Sequence, residues 1–114
     1  EYAAAARGCR VTGITVSQAQ LDFARARIAA RGLQHLVDLR LCDYRDAGGQ
    51  YDHVVSIEMF EAVGERYWPQ YFRVLRERLA PGGRALVQTI TIAESKFERY
   101  RSGTDFIQQY IFPG

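Results

Sequence analysis

Short apolar runs rich in β-branched residues alternate with segments of helical periodicity along the 114-residue chain. In the helical segment after the first run, Leu21, Ala24 and Ile28 fall on one face. Strands that alternate with helices are typical of βαβ units and predict a mostly parallel sheet in an α/β fold. The runs that predict buried strands are residues 11–16, 36–41, 52–57 and 85–92.

Capping signals place the ends of the first helices. Ser17 and Gln20 fit the S-x-x-Q capping box, in which each side chain satisfies a free backbone amide. Gly32 is predicted to end that helix, and Gly8 to end a short helix before the first strand. Because the chain opens inside that short helix and closes without a polar tail, we expect it to be a fragment of a longer protein.

A third helix is predicted from its proline and its apolar stripe. Pro69 suits the first helical position, because proline lacks the N–H that would be unpaired there. The sequence Pro-Gly-Gly at 81–83 predicts a turn before the fourth strand, and residues from Ala93 onwards predict a helical excursion. The apolar stripe of the third helix consists of Trp68, Phe72, Leu75 and Leu79.

Composition narrows the function mainly by exclusion. Hydrophobic residues make up 47% and charged residues 25% of the chain, which suits one small globular domain. The net charge of +2 is too small to indicate nucleic acid, although it permits weak attraction to an anionic membrane surface. No signal peptide is visible, so a cytoplasmic protein is expected. Metal-ligand spacing is absent among Cys9, Cys42, His35 and His53.

Polar residues follow three of the predicted strands, at 15–20, 43–44 and 57–61. Ligands of parallel sheets bind beyond the carboxyl ends of the strands, so this pattern favours a nucleotide-like ligand. The stretch SIEMFEAVG at 56–64 raises a further question, since it places Glu58 and Glu61 directly after a strand. An unpaired buried carboxylate is costly, so these glutamates either face water or are held for chemistry.

Five stretches occur in an order that resembles the cyclopropane-fatty-acyl-phospholipid synthases, a family of S-adenosylmethionine-dependent methyltransferases related to the mycolic acid cyclopropane synthases. The resemblance implies the class I methyltransferase fold, a Rossmann-like doubly wound sheet, over residues 1–114. The family's first strand and glycine-rich loop are missing, so we expect this domain to be partial and this fragment alone to be inactive. The stretches are Gly13-Ile14-Thr15-Val16-Ser17-x-x-Gln20, Asp43-Tyr44-Arg45-Asp46, SIEMFEAVG, Val87-Gln88-Thr89-Ile90 and Tyr110-Ile111-Phe112-Pro113-Gly114.

The resemblance implies S-adenosylmethionine as cofactor and assigns five residues to it. Thr15 and Gln20 match the residues that approach the ribose. Asp43 and Tyr44 match the adenine-binding pair, and the main chain of Ile57 meets the methionine part, with its side chain in the core. Simpler interpretations stay open: Gln20 as a capping partner alone, and Asp43-Tyr44 as an ordinary polar loop.

The resemblance also implies a catalytic anion site, in which Glu61, Gln88 and Ile90 hold a bicarbonate ion that acts as general base. Glu61 and Gln88 are the predicted catalytic residues. A glutamate beside an anion should be protonated or share a proton, because two bare negative charges repel. Gln88 departs from the better-known members of the family, which have His there. A solvent-facing Glu61 is the alternative, and the role of Glu58 stays open.

The implied reaction transfers a methyl or methylene group from S-adenosylmethionine to the double bond of an unsaturated phospholipid acyl chain. Its product is a cyclopropane or methyl-branched chain. The implied partners are phospholipid acyl chains at the inner membrane face, where the protein would be peripheral. The alternatives are a methyltransferase for another small acceptor and a non-catalytic domain that binds cofactor or lipid.

Two further expectations concern the periphery of the domain. Residues 93–114 resemble the start of the family's lid and acyl-binding excursion, in which Lys96, Arg99 and Arg101 would meet phospholipid head groups; a solvated basic helix is the alternative. A missing central strand would leave strand edges unpaired. We therefore expect either an upstream part of the chain or association between chains, such as a homodimer.

Overall fold

The computed structural model describes residues 1–102, with the side chains of residues 1–99. The backbone forms two compact units, one over Glu1–Gly48 and one that begins at Gly49. Each unit contains one two-stranded parallel sheet, and helices alternate with the strands in both, as predicted.

The first unit is a βαβ arrangement preceded by a short helix. Strands β1 and β2 pair in parallel, with Val11 opposite Val37 and Thr15 opposite Leu41. Because the two strands end in register, the residues that follow them start from the same edge of the sheet. The elements are α1 (Tyr2–Arg7), β1 (Val11–Thr15), α2 (Gln18–Ala30), β2 (Val37–Leu41) and a 3₁₀ helix (Tyr44–Asp46).

Helix α2 begins and ends where its capping signals predict. The hydroxyl of Ser17 accepts a hydrogen bond from the amide of Gln20 at 3.3 Å, which satisfies one free N–H of the first turn. Gly32 follows the helix with a φ of 64°, a left-handed conformation that glycine adopts without strain. The helix packs on the sheet through its buried apolar face. The buried core of this unit is Ala4, Ile28 and Val37, surrounded by Val11, Leu33, Leu36 and Leu39.

The second unit repeats the parallel arrangement with β3 and β4, in which Val54 lies opposite Ala85 and Ile57 opposite Gln88. One face of β3 carries the buried Ser56, whereas Val55 and Ile57 on the other face are each 59% exposed. The predicted buried strand is therefore covered on one side only within this unit. The elements are β3 (Tyr51–Ile57), two 3₁₀ helices (Phe60–Ala62 and Glu65–Tyr67), α3 (Trp68–Arg78), β4 (Leu79–Gln88) and α4 (Glu94–Ser102).

Strand β4 corrects the bounds of the predicted fourth strand and contains the predicted turn, at which Gly82 has a φ of 78°. The strand begins at Leu79, opposite Tyr51, and its register shifts before Arg84 pairs with His53. Pro-Gly-Gly at 81–83 lies inside this irregular stretch and does not end it, because pairing with β3 holds the chain on both sides. A Cβ at Gly83 would lie 2.9 Å from the carbonyl oxygen of Asp52, so only glycine allows this approach. The strand then stops at Gln88, short of the predicted end.

Helix α3 corrects the predicted apolar stripe. Tyr71 is fully buried at 0% exposure, whereas Phe72 is 51% exposed. The buried face therefore passes through Tyr71, three residues after Trp68, and turns Phe72 outwards. Leu79 is the first residue of β4 and does not belong to the helix. Pro69 is the second residue of the helix, one position later than predicted.

Among residues 1–102, β1 pairs with β2 and β3 pairs with β4, so each strand has one hydrogen-bonded neighbour. Each described sheet thus has two strands, fewer than a complete methyltransferase sheet, as expected for a partial domain. The predicted excursion after Ala93 begins as helix α4, while its remainder and the stretch 110–114 lie outside the described residues. None of the described helices has the length and apolar character needed to span a bilayer.

Candidate active site

The carboxyl edge of the first sheet brings together four of the residues assigned to the cofactor. Thr15 is the last residue of β1, and its carbonyl accepts a hydrogen bond from the amide of Cys42 at 2.9 Å. Asp43 and Tyr44 come directly after Cys42, and Gln20 lies in the first turn of α2. The predicted convergence of Thr15, Gln20, Asp43 and Tyr44 within this unit is therefore present in the structure.

Thr15 and Gln20 are bonded to each other. The hydroxyl of Thr15 donates to Oε1 of Gln20 at 2.9 Å and accepts from the amide of Ser17 at 3.1 Å. The capping box is thus only half formed, because the Gln20 side chain turns to Thr15 and leaves the Ser17 amide to the threonine. Within the described part of the chain, Nε2 of Gln20 has no hydrogen-bond partner, so this exposed amide can donate to a ligand hydroxyl.

Asp43 is held by a residue that the sequence interpretation did not single out. Arg45 donates to Oδ1 of Asp43 through its backbone amide at 2.9 Å and through Nε at 3.0 Å, and to Oδ2 through Nη2 at 2.7 Å. The side chain and the backbone amide of Arg45 lower the pKa of the Asp43 carboxyl, although burial opposes them. The signal in the sequence was the D-x-R spacing at the start of a 3₁₀ helix.

Apolar surface lies beside these polar groups. Tyr44 is half-buried as the first residue of the 3₁₀ helix. Val16 is 75% exposed and Leu41 is 52% exposed, directly after β1 and at the end of β2. An aromatic ligand can cover such exposed apolar side chains while its polar edge meets Asp43.

The carboxyl edge of the second sheet holds the predicted catalytic residues. The amide of Glu58 donates to the carbonyl of Gln88 at 2.8 Å, which extends the parallel ladder by one bond beyond Ile57. The side-chain amide of Gln88 then donates to Oε1 of Glu58 at 3.3 Å. The side chain of Ile57 is exposed, which corrects the prediction that it lies in the core.

Glu58 adopts an uncommon backbone conformation, with a φ of 51°. It is the only described residue other than glycine with a positive φ, a conformation that costs about 1 kcal/mol or more in a residue with a Cβ. Such strain persists only where neighbouring contacts enforce it, and here Gln88 contacts both the backbone and the side chain of Glu58. No local sequence pattern predicts this conformation.

Glu61 is engaged on one side only. Its Oε1 accepts a hydrogen bond from the amide of Ile90. Its Oε2 is buried and has no hydrogen-bond partner among the described residues. Burial raises the pKa of Glu61, but the amides of Ile90 and Glu61 and the hydroxyl of Thr89 outweigh it, so the pKa falls below its usual value. One carboxylate oxygen of this half-buried residue is thus shielded from solvent, which argues against the solvent-facing alternative.

Aromatic packing fixes the segment that carries Glu61. The ring of Phe60 lies 5.2 Å from that of Trp68 and 5.0 Å from that of Tyr71. The indole N–H of Trp68 donates to the carbonyl of Val63 at 3.1 Å, which closes the loop between β3 and α3. These contacts hold the short 3₁₀ helix that follows β3, and with it the backbone of Glu61.

These contacts do not fit the bicarbonate site that the resemblance implies. The amide of Ile90 donates to Glu61, and one N–H of the Gln88 side chain donates to Glu58, so only the second N–H of Gln88 is left for an anion. The lowered pKa keeps Glu61 ionised near neutral pH, contrary to the expectation of a protonated glutamate. An added anion would therefore meet the negative charge of Glu61 with one of the expected donors already taken.

A metal site is not formed in the described range: residues 1–102 contain no group of three or more His, Cys, Asp and Glu side chains that could hold an ion. Cys9 is exposed, Cys42 is half-buried, and neither forms a disulfide.

The model of the mycolic acid cyclopropane synthetase family matches residues 1–114, the whole chain. The chain belongs to this family. The tuberculostearic acid methyltransferase UfaA1 of Mycobacterium tuberculosis is 50% identical to this family member over 111 residues, which are 97% of the chain and 26% of UfaA1. The cyclopropane-fatty-acyl-phospholipid synthase of Escherichia coli K12 is 36% identical over 112 residues, which are 98% of the chain and 27% of that enzyme.

The fold of this cyclopropane synthetase family member agrees with solved structures. Its backbone matches the mycolic acid cyclopropane synthase CmaA1, complexed with SAH and CTAB, with a TM-score of 0.83 and 24% identity. The match covers 98% of this chain and 42% of CmaA1. It confirms the predicted methyltransferase fold, of which this chain forms a part. The chain spans about a quarter of the length of UfaA1 and of the Escherichia coli synthase.

Proposed function

We propose that the protein containing this chain transfers a methyl group from S-adenosylmethionine to the double bond of an unsaturated phospholipid acyl chain. Three kinds of relative support a lipid substrate: UfaA1 at 50% identity, the Escherichia coli synthase at 36%, and a sphingolipid C9-methyltransferase of Candida albicans at 31%. Residues 1–114 form part of the catalytic domain in this proposal, and residues 93–114 begin the lid and acyl-binding excursion.

The observation that carries the proposal is the half-engaged carboxylate of Glu61. One oxygen is fixed by the Ile90 amide, the other is buried without a partner in the described chain, and the lowered pKa keeps the group ionised. A fixed, ionised carboxylate with a free buried oxygen is suited to accept a proton. When bound, S-adenosylmethionine would supply an electrophilic methyl carbon: the electrons of the alkene would form the new carbon–carbon bond as the methyl–sulfur bond breaks, which would release S-adenosylhomocysteine and leave a carbocation on the acyl chain. Glu61 accepts the proton whose loss neutralises that cation.

The residues at the first sheet edge have the donor and acceptor character that the cofactor requires. The free Nε2 of Gln20, beside the Thr15 hydroxyl, donates to a ribose oxygen. The ionised carboxylate of Asp43 accepts from the adenine amino group, and Tyr44 packs on the ring. The main chain after Ile57 meets the methionine part in this proposal.

Bicarbonate has no step in the proposed mechanism, because the Ile90 amide is engaged by Glu61, one N–H of Gln88 is engaged by Glu58, and the ionised Glu61 would repel a second anion. Gln88 is instead proposed to act by holding Glu58, with which it shares two hydrogen bonds. Glutamine suits that role, since its amide donates to a carboxylate and does not titrate.

The product we propose is a branched acyl chain. In either outcome a proton leaves the transferred carbon. Its electrons close a three-membered ring onto the cationic carbon, or, after a 1,2-hydride shift has moved the cation to the carbon that bears the new methyl group, they form the double bond of a methylene branch. Reduction of that methylene to a methyl branch requires a hydride and a proton from a separate reductant. The branched product is favoured because the relative at 50% identity is a methyltransferase, whereas the cyclopropane synthase is 36% identical.

The proposed location is the cytoplasmic face of the membrane, as a peripheral protein. The exposed Lys96 of α4 and its neighbour Arg99 supply positive charge for phospholipid head groups. Homodimer formation stays a prediction.

The experiment uses the full-length protein, vesicles of a monounsaturated phospholipid and S-adenosylmethionine with an isotopically labelled methyl group. Mass spectrometry of the extracted lipids should show the labelled carbon in the acyl chain, and fragmentation should separate a ring from a branch. Unlabelled lipids from a protein that still binds the cofactor would favour the non-catalytic alternative. Label found in a small polar acceptor would favour the other methyltransferase.

A further inference from the structure

Arg45 contacts Asp43 in a way that fixes the carboxylate in one orientation. The backbone amide and Nε of Arg45 both donate to Oδ1, and Nη2 donates to Oδ2 at 2.7 Å. A guanidinium that bonds both oxygens of one carboxylate forms a planar, directional fork. Three donors thus occupy the carboxylate, two of them on Oδ1 and one on Oδ2.

This geometry leaves a defined acceptor. A carboxylate oxygen accepts about two hydrogen bonds, so Oδ1 is filled and Oδ2 retains one acceptor position. Asp43 is 29% exposed, which leaves that position accessible at the sheet edge beside Cys42 and Thr15. The lowered pKa of Asp43 agrees with a carboxylate that stays ionised and accepts only.

Strand β2, which directly precedes this segment, provides an internal comparison. Arg40 and Asp38 have the same D-x-R spacing, but Nε and Nη2 of Arg40 both donate to the single oxygen Oδ2 of Asp38, at 2.8 and 2.5 Å. Asp38 lies near the start of β2 and is 57% exposed. An exposed pair of this kind contributes little to stability, and its carboxylate, Asp38, lies away from the carboxyl end of the strand. The pair formed by Asp43 and Arg45 differs in three ways: the guanidinium bonds both carboxylate oxygens, the aspartate is less exposed, and the pair follows the carboxyl end of the strand.

We propose that Arg45 is a positioning residue that aims the free acceptor of Asp43 at the exocyclic amino group of the cofactor's adenine and so sets the preference for an aminopurine. This inference rests on the proposed function, because it takes S-adenosylmethionine as the ligand. Arg45 itself touches no part of the ligand in this proposal. Its effect is on the choice between purines that donate and purines that accept at that position.

The test measures dissociation constants of the full-length protein by calorimetry for two ligands, S-adenosylhomocysteine and S-inosylhomocysteine. The inosyl compound carries an oxo group in place of the amino group. An oxo group accepts hydrogen bonds and does not donate them, so it cannot bond the Asp43 carboxylate. We expect the wild type to prefer the adenosyl ligand by about tenfold or more, as for a hydrogen bond to a charged group. Arg45→Ala should lower that ratio about fivefold, mainly through weaker adenosyl binding.

Three matched variants interpret the result. Arg45→Lys keeps the charge without the fork and should restore only part of the ratio. Arg40→Ala removes the comparison pair and should leave both constants unchanged. Asp43→Asn should abolish the preference, and adding Arg45→Ala to it should have no further effect on the ratio. Circular dichroism and thermal unfolding of each variant establish that it is folded.

The outcomes separate the inference from the proposed function. Equal weakening of both ligands in a folded Arg45→Ala protein, with the ratio preserved, would show that Arg45 has a structural role only and overturn the inference. A ratio that survives Asp43→Asn would overturn the assignment of Asp43 to adenine. A wild type that binds neither ligand, yet is folded, would overturn the proposed function itself.

Discussion

The two sheet edges differ in how their polar side chains are satisfied. At the first edge, Thr15 bonds Gln20 and Asp43 bonds Arg45, so that partly exposed side chains pair with each other. At the second, Glu61 bonds the backbone of Ile90 and keeps one buried oxygen without a partner among the described residues. Paired, accessible side chains suit ligand recognition. Their hydrogen bonds already hold them in place, so less conformational entropy is lost when a ligand binds. A buried carboxylate oxygen without a partner suits chemistry. Buried polar atoms that serve only stability are normally hydrogen-bonded, so an unpaired one indicates another role.

The largest expected effect is on turnover at the second edge. Glu61→Gln in the full-length protein should lower turnover by about 10²-fold or more, since glutamine accepts no proton at neutral pH. Glu58→Gln is the matched control and should lower it far less, because Gln88 can still bond a neutral amide. Labelled lipid products, quantified by mass spectrometry, provide the measurement. Equal rates for the two variants would contradict the assignment of Glu61.

The buried support of the second edge should have the largest effect on stability. The hydroxyl of Tyr71 donates to that of Ser56 at 2.6 Å, and both residues are buried. Tyr71→Phe should lower the free energy of unfolding by about 1–2 kcal/mol, because the Ser56 hydroxyl loses a partner. Thr15→Val breaks the bonds of Thr15 to Gln20 and to the Ser17 amide, neither of which is fully buried, and should have a smaller effect. If urea unfolding showed a larger loss of stability for Thr15→Val than for Tyr71→Phe, the result would contradict the argument that the buried bond contributes more.

The backbone of Glu58 provides a finer test of strain at the second edge. Glu58→Gly and Glu58→Ala both remove the side-chain bond to Gln88, but only glycine adopts a φ of 51° without strain. We expect the glycine variant to exceed the alanine variant in free energy of unfolding by about 1 kcal/mol. Gly64→Ala, at a negative φ, is the control for glycine substitution in this loop. Equal stability of the two Glu58 variants would show that the conformation is unstrained.

The smallest expected effect is a pH dependence of stability from Glu61. Its pKa is lower in the folded than in the unfolded state, where it is about 4.3, so ionised Glu61 stabilises the fold at higher pH. That contribution should be complete above about pH 5 and disappear as the pH falls through the folded-state pKa. In urea titrations from pH 7 to pH 3, Glu61→Gln should remove this part of the pH dependence. An unchanged profile would contradict the lowered pKa.

Much of the recognition edge could be predicted from the sequence. Its helix cap, its glycine stop and its strand positions are local properties, so Ser17, Gly32 and the parallel strands β1 and β2 appear in the structure as expected. The bond between Thr15 and Gln20 was less predictable. Both residues were placed near the ribose, but the competition between threonine and the Ser17 amide for the glutamine depends on side-chain geometry.

The sequence by itself determined the order of the elements, the parallel pairing of the strands and the residues that follow their carboxyl ends. Periodicity, capping residues and the family resemblance fix these, because they act over short stretches of chain. Tertiary structure decided which face of α3 is buried, so Tyr71 and not Phe72 lies inside. It also decided that β4 runs through Pro-Gly-Gly at 81–83, and that Ile90 and Gln88 bond glutamates in place of an added anion. These outcomes depend on contacts between residues about thirty positions apart, whose hydrogen-bond partners no local pattern specifies.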